Sequence, residues 1–144
     1  MNDFGSYYEV TLKERIGYEI RFGSLYFLES ERDIHFAFKR MYSICGVKKG
    51  IIRGQHAHKA LSQLIVCLYG AIEIECDGGE KKATIVLDEP KKGLYIGPGI
   101  WRTMKWLKDD SVLSVLASEY YEESDYIRDY EEFIKLVKGG YWKK

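Results

Sequence analysis

Two of the three histidines in this 144-residue chain, His56 and His58, lie two residues apart in the run Gly50-Ile51-Ile52-Arg53-Gly54-Gln55-His56-Ala57-His58-Lys59. Residues two apart on a β-strand point to the same face, so a strand here would bring both imidazoles into one cavity. Imidazole gains and loses a proton near neutral pH. A same-face pair can therefore pass protons to and from a bound molecule, or it can bind a metal ion. The rest of the chain has to decide between these uses. The remaining histidine, His35, has no such neighbour and reads as a packing residue.

The elements that must hold this pair are short apolar runs separated by turn residues: 7–12, 24–28, 38–44, 61–68, 71–76, 83–87, 93–96 and 111–117. Asp77-Gly78-Gly79 is a hairpin signal between two of them. Many short strands at this spacing predict an all-β fold, an antiparallel sandwich or barrel. The period changes near the end, where Ile127, Tyr130, Phe133, Ile134 and Val137 recur at helical spacing. A C-terminal helix is expected over 125–137, broken by Gly139-Gly140. Glu119, Glu122, Glu123 and Asp125 before it read as a solvated acidic loop. With two prolines and no break in composition, residues 1–144 read as a single domain.

Bulk properties remove several function classes. Hydrophobic residues make up 46% of the chain, enough for a core. Lysine plus arginine number 22 and aspartate plus glutamate 22, and this zero net charge argues against general nucleic-acid or membrane-surface binding. Cys45, Cys67 and Cys76 have neither disulfide-framework nor zinc spacing. With no signal segment and no 18-residue apolar stretch, a cytoplasmic protein is expected.

A small β-barrel with an inward His-x-His pair resembles the cupins. Gly50, His56, His58, Gln63 and Gly70 follow the spacing of the first cupin motif, and Gly93 and Pro98 stand where the second begins. A metal-binding cupin carries glutamate at the position of Gln63 and a further histidine near that of Arg102. Here an amide and a cation replace those ligands, which leaves fewer than a catalytic metal usually takes. The expectation is no metal and no cofactor.

Four further blocks, all in order over about residues 20 to 135, make the resemblance narrower. They are Phe38-Lys39-Arg40-Met41-Tyr42, Arg53 to Lys59, Gly93 to Pro98 with Trp101, and Val115 to Tyr121 with Asp125 to Arg128. Together they resemble the nucleotide-sugar 3,4-ketoisomerases, cupins acting on dTDP-4-keto-6-deoxyglucose in deoxysugar biosynthesis for cell-surface polysaccharides. The resemblance implies a jelly-roll fold and proton transfer by His56 and His58, with Tyr42 near the sugar as an orienting or relaying hydroxyl. Fork-shaped guanidinium groups suit a pyrophosphate, and the candidates are Arg53 and Arg102, with Arg40 and Lys59 beside them. Gln63, Tyr95 and Trp101 complete the candidate substrate residues, although Tyr95 and Trp101 could equally be core packing. Arg128 reads as a surface ion-pair partner.

The family has two branches that differ in the C4 configuration of the product. Phe22 before Gly23-Ser24-Leu25, with Arg102 after Trp101, resembles the gluco branch, whose usual residue at the first position is tyrosine. Family members are homodimers with exchanged N-terminal strands, and the same is implied here. Two rival readings remain: a 3,5-epimerase-like cupin, which needs a His–Asp dyad that the motif does not display, and a non-catalytic cupin that senses a nucleotide sugar.

Overall fold

The computed structural model describes residues 5–16 and 23–143. Two five-stranded antiparallel sheets face each other. The first runs β1 (Tyr7–Thr11), β9 (Lys92–Ile96), β6 (Gln63–Tyr69), β11 (Val112–Ala117), β4 (Arg40–Ile44). The second runs β12 (Tyr126–Ile127), β5 (Ile52–His58), β10 (Trp101–Trp106), β7 (Ile72–Asp77), β8 (Lys82–Leu87). A two-stranded ladder of β2 (Lys13–Ile16) and β3 (Ser24–Phe27) joins neither sheet among the described residues. This is the antiparallel sandwich that the strand pattern predicts, in the jelly-roll arrangement that the resemblance implies. No described helix is long and apolar enough to cross a membrane.

Alternation along the strands divides the interior. At one end Ile65, Cys67, Ile72, Ile74, Leu94, Ile96, Met104, Trp106, Leu113 and Val115 fill the space between the sheets. The same alternation carries polar side chains toward the other end: Tyr42 on β4, His56 and His58 on β5, Gln63 on β6 and Arg102 on β10. The sandwich thus has an apolar half that holds it together and a polar half in which chemistry is possible.

Several elements depart from the sequence reading, β2 and β12 among them. β10 is not among the expected runs, because Arg102 occupies one of its inward positions between the apolar residues Ile100 and Met104 and masks the alternation. The helix, α1, spans Tyr130–Lys138 rather than starting at 125. Residues 126 and 127 are drawn into a strand against Ala57 and His58, and Asp129 supplies the N-cap by accepting from the Glu131 amide at 2.9 Å. The helix ends where Gly139-Gly140 was expected to break it, and Gly140 has φ +72.

Helix α1 covers the outer face of the second sheet. Phe133 is fully buried there with Ala57, Trp101, Ile127 and Trp142. Truncating such an aromatic leaves a cavity that costs about 3–5 kcal/mol. Phe133→Ala is therefore expected to lower the urea-unfolding free energy by that amount. A change below about 1 kcal/mol would show that the helix does not brace the β5–β10 sheet.

Candidate active site

His56 and His58 lie on one face of β5, both buried, with ring centroids 4.9 Å apart and nearly perpendicular. The strand reaches this geometry through a bulge. Arg102 pairs with His56 and Thr103 with Gly54, so Gln55 has no opposite residue and adopts φ +49. Gly54 itself has φ +89, and a Cβ there would lie 3.0 Å from Met104 Cε and 3.2 Å from the Arg102 carbonyl. The bulge precedes the histidines, so their shared face is kept.

The partners of the two rings decide their tautomers. His56 Nδ1 is 2.8 Å from the Gly54 carbonyl, which only accepts, so Nδ1 carries the proton. His58 Nδ1 is 2.9 Å from Asp125 Oδ2. Burial alone would raise the Asp125 carboxyl. Hydrogen bonds from His58 and from the Ala60 amide outweigh that and hold it below the usual carboxylate range, so it too is an acceptor. Both Nε2 atoms are left buried with no hydrogen-bond partner and with their lone pairs free.

The rings are also kept neutral. Burial, then the charge of Arg102, then His58 lower the His56 pKa to about 3. Burial lowers His58 to about 4 despite the opposing hydrogen bond to Asp125, with Arg102 again adding to the fall. Arg102 is 1% exposed and fully inside the sandwich; burial brings it down to about 10, so it remains charged at neutral pH. Its Nη1 donates to Gln63 Oε1 at 2.6 Å and its Nη2 to the Ile100 carbonyl at 2.8 Å. Gln63 Nε2 in turn donates to the Tyr42 hydroxyl at 3.1 Å. Burial raises the Tyr42 phenol, an effect that the nearby Arg102 charge opposes.

A hollow of about 280 Å³ opens onto this group. His56, Tyr42, Met104 and Tyr126 form its inner wall, and Arg40, Arg53 and Arg128 ring it with positive charge. His58 lies one layer deeper, under the ring of Tyr126 at 4.5 Å, and Tyr126 also covers His56 at 5.1 Å. Arg128 stacks on the outer face of Tyr126 at 4.3 Å while pairing with Glu123 through Nε at 2.7 Å. Arg40 rests against the rings of Tyr42 and Tyr121, with Nε and Nη2 making no hydrogen bond.

The expected site residues are thus placed unequally. His56, Tyr42, Arg40 and Arg53 come together at the hollow, and His58 backs it. Gln63 and Arg102 are enclosed: the Gln63 amide and both Nη atoms of Arg102 are committed to each other and to Tyr42 and Ile100, while Arg102 Nε is buried without a hydrogen bond. Tyr95 stands on the outer face of β9, stacked on Tyr8 at 4.6 Å. Trp101 packs against Tyr130 and Phe133 under the helix. These two are core packing, as alternation requires of residues at odd positions on β9 and β10. Lys59 contributes backbone bonds to Asp125 and Trp142 and does not line the hollow. Phe22 lies outside the described residues.

Asp125 is the residue that the sequence reading missed. It belongs to the acidic run that reads as a solvated loop, 67 positions from His58, and no local spacing links the two. With His58 it forms a His–Asp dyad, which the motif itself does not display. Arg128 and Tyr126, which flank it in the chain, prove to be parts of the hollow as well. No group of three or more His, Cys, Asp or Glu side chains is arranged to hold a metal ion among the described residues.

The chain is similar to known proteins over most of its length. The family model described as "FdtA: WxcM-like, C-terminal" matches residues 9–138. A curated relative from Aneurinibacillus thermoaerophilus, TDP-4-oxo-6-deoxy-alpha-D-glucose-3,4-oxoisomerase, is 45% identical over 115 residues, 80% of this chain and 83% of that protein. A solved 3,4-ketoisomerase from Helicobacter canadensis superposes with a TM-score of 0.86 at 39% identity, covering 92% of this chain and 97% of the other. QdtA, a sugar 3,4-ketoisomerase from Thermoanaerobacterium thermosaccharolyticum solved with TDP, also superposes at 0.86, with 41% identity over 92% of this chain and 95% of that one.

The buried imidazoles link stability to pH. An unfolded chain protonates them near pH 6.5, whereas the folded chain resists until about pH 4 for His58 and 3 for His56. The unfolded state then binds more protons across that window, so stability falls as pH drops from 6.5 toward 4. The melting temperature of the wild type is expected to decline over this range. The double variant His56→Asn, His58→Asn should decline less steeply. Parallel pH profiles for the two proteins would contradict the assignment of neutral buried rings.

Proposed function

Since the chain belongs to the FdtA family of dTDP-sugar 3,4-ketoisomerases, we propose that its hollow binds dTDP-4-keto-6-deoxyglucose and moves the carbonyl from C4 to C3. The observation that carries this reading is the pair of neutral imidazoles with unpartnered Nε2 atoms beside an arginine-rimmed hollow. Ketoisomerisation is proton traffic, and it needs a base that can return what it takes.

The steps balance without an external redox partner. A histidine Nε2 takes the C3 proton; the C3–H electrons form a C3=C4 double bond, and the carbonyl electrons move to O4. The Tyr42 hydroxyl faces the growing charge on O4, where a fixed donor stabilises the enediolate. The proton of the C3 hydroxyl then passes to O4, giving the C4 hydroxyl; as C3=O forms, the C3=C4 electrons take the imidazolium proton at C4 and the imidazole is neutral again. His56, on the hollow wall, is placed to touch the sugar. His58 stands behind it with its tautomer fixed by Asp125. A low imidazole pKa makes the protonated form a ready donor, while the negative charge of the substrate pyrophosphate and of the enediolate raises the basicity of the ring when it is needed. Arg53 and Arg40, joined by Arg128, supply the cationic rim that a pyrophosphate requires.

The His–Asp dyad leaves a 3,5-epimerase reading chemically open. The level of identity to 3,4-oxoisomerases supports ketoisomerisation over it. We take the working form to be a cytoplasmic homodimer with exchanged N-terminal strands. Here β1 pairs with β9 of the same chain, and exchange would put the partner's strand at that edge.

Asparagine keeps approximately the size of histidine but cannot shuttle protons. His56→Asn and His58→Asn are each expected to lower kcat by about 10²-fold or more, with TDP affinity by calorimetry little changed. Near-normal turnover in both would refute the assignment. Phe22 together with Arg102 resembles the gluco branch, so the product is expected to be dTDP-3-keto-6-deoxyglucose. Reduction with borodeuteride followed by NMR coupling analysis should give an equatorial C4 hydroxyl; an axial one would refute the gluco product alone.

A further inference from the structure

Arg102 and Gln63 present an arrangement that substrate binding does not require. A guanidinium 1% exposed, with no carboxylate in ion-pair contact among the described residues, is an unfavourable thing to bury. Apolar side chains of similar volume would pack the same space.

Hydrogen-bond bookkeeping gives the arrangement a direction. A guanidinium has only donors, so the Gln63 amide must turn its oxygen to Arg102, as the 2.6 Å contact shows. The amide nitrogen is then the end that faces Tyr42, and it too can only donate, at 3.1 Å. Tyr42 oxygen must accept that bond. Its own proton is thereby excluded from the Gln63 side and left to point elsewhere, and the hollow is the open side of this ring. One fixed cation thus propagates a donor orientation through an amide to a phenol. A substrate oxygen in the hollow meets a donated O–H from Tyr42, whose oxygen is polarised by the bond behind it.

We propose that Arg102 and Gln63 form a positioning relay that fixes the Tyr42 hydroxyl as a hydrogen-bond donor to the sugar oxygen that gains charge as the enediolate forms. The proposal rests on the ketoisomerase reading and deepens it. Arg102 and Gln63 act through Tyr42, and neither touches substrate. Burial keeps the neighbouring imidazoles neutral and the same guanidinium adds to that effect, so one buried charge bears on both the base and the donor.

Gln63→Glu tests the relay because it reverses the direction while keeping the shape. A carboxylate at position 63 would pair with Arg102 and accept from Tyr42, turning the phenol proton away from the hollow. The expected result is a fall in kcat of about 10²-fold, the scale of one lost oxyanion donor, with TDP affinity by calorimetry changed less than threefold. In a Tyr42→Phe background the same substitution should cause almost no further loss, since the relay then has nothing to orient. Gln63→Met, an apolar residue of similar length, serves if the glutamate variant folds poorly. It should lower kcat about tenfold, again only when Tyr42 is present. The relay is overturned if either variant keeps kcat within threefold of wild type, or if its loss adds in full to that of Tyr42→Phe. Wild-type turnover measured alongside separates the two readings: additive losses in an otherwise active ketoisomerase remove the relay and leave the function standing.

Discussion

A guanidinium enclosed between two β-sheets and lacking a carboxylate must be held by neutral acceptors, and Arg102 is held by two, the Gln63 amide and the Ile100 carbonyl. The arrangement of the polar half follows from that constraint. The charge opposes protonation of His56 and His58, which would put a second cation in the same dry space. It sets the orientation of Gln63 and, through it, Tyr42. Because Arg102 pairs across β10 with His56 on β5 and with Cys76 on β7, the sheet register places it beside the histidines. The apolar half supplies the rigidity that keeps such a group in place. Without it, water would enter and screen the charge.

The second constraint is the closing segment. Residues 121–128 fold back so that Asp125 bonds to His58 and to the amide of Ala60, Tyr126 covers both imidazoles, and Arg128 stacks on Tyr126 while paired with Glu123. Glu123 also accepts from the Tyr121 hydroxyl, and Tyr121 contacts Arg40. A single stretch of chain therefore fixes one tautomer, shields the rings from solvent and positions two rim cations. Helix α1 then braces the outer face of the same sheet through Phe133.

Much of this was legible in the sequence where the signal was local. Alternating short runs predicted the strands, Asp77-Gly78-Gly79 the hairpin between β7 and β8, and the i, i+2 spacing the shared face of His56 and His58. Substitution of two ligand positions drew notice to Gln63 and Arg102, although spacing could not reveal that they bond to one another from strands 39 residues apart. Asp125 was invisible for the same reason: its acidic neighbours suggested solvent, and only the return of the chain to β5 gives it a partner. Strand β10 was hidden by the very residue that matters, since a buried arginine at an inward position breaks the apolar alternation on which a strand is recognised. Tyr95 and Trp101 lay in matching blocks and still proved to face outward, because a motif records a segment and not the direction of each side chain.

Catalysis by this pair requires that both histidines enter the reaction neutral, protonated on Nδ1, with Nε2 free. Long-range proton–nitrogen NMR of protein labelled with ¹⁵N at histidine reads the protonation state of each ring nitrogen directly. Asparagine variants assign the two signals. At pH 7 each ring should show a protonated Nδ1 and an unprotonated, pyridine-like Nε2, and both should stay neutral down to pH 5. A cationic ring at pH 6, or a proton on Nε2 of either histidine at pH 7, would rule out a neutral Nε2 base.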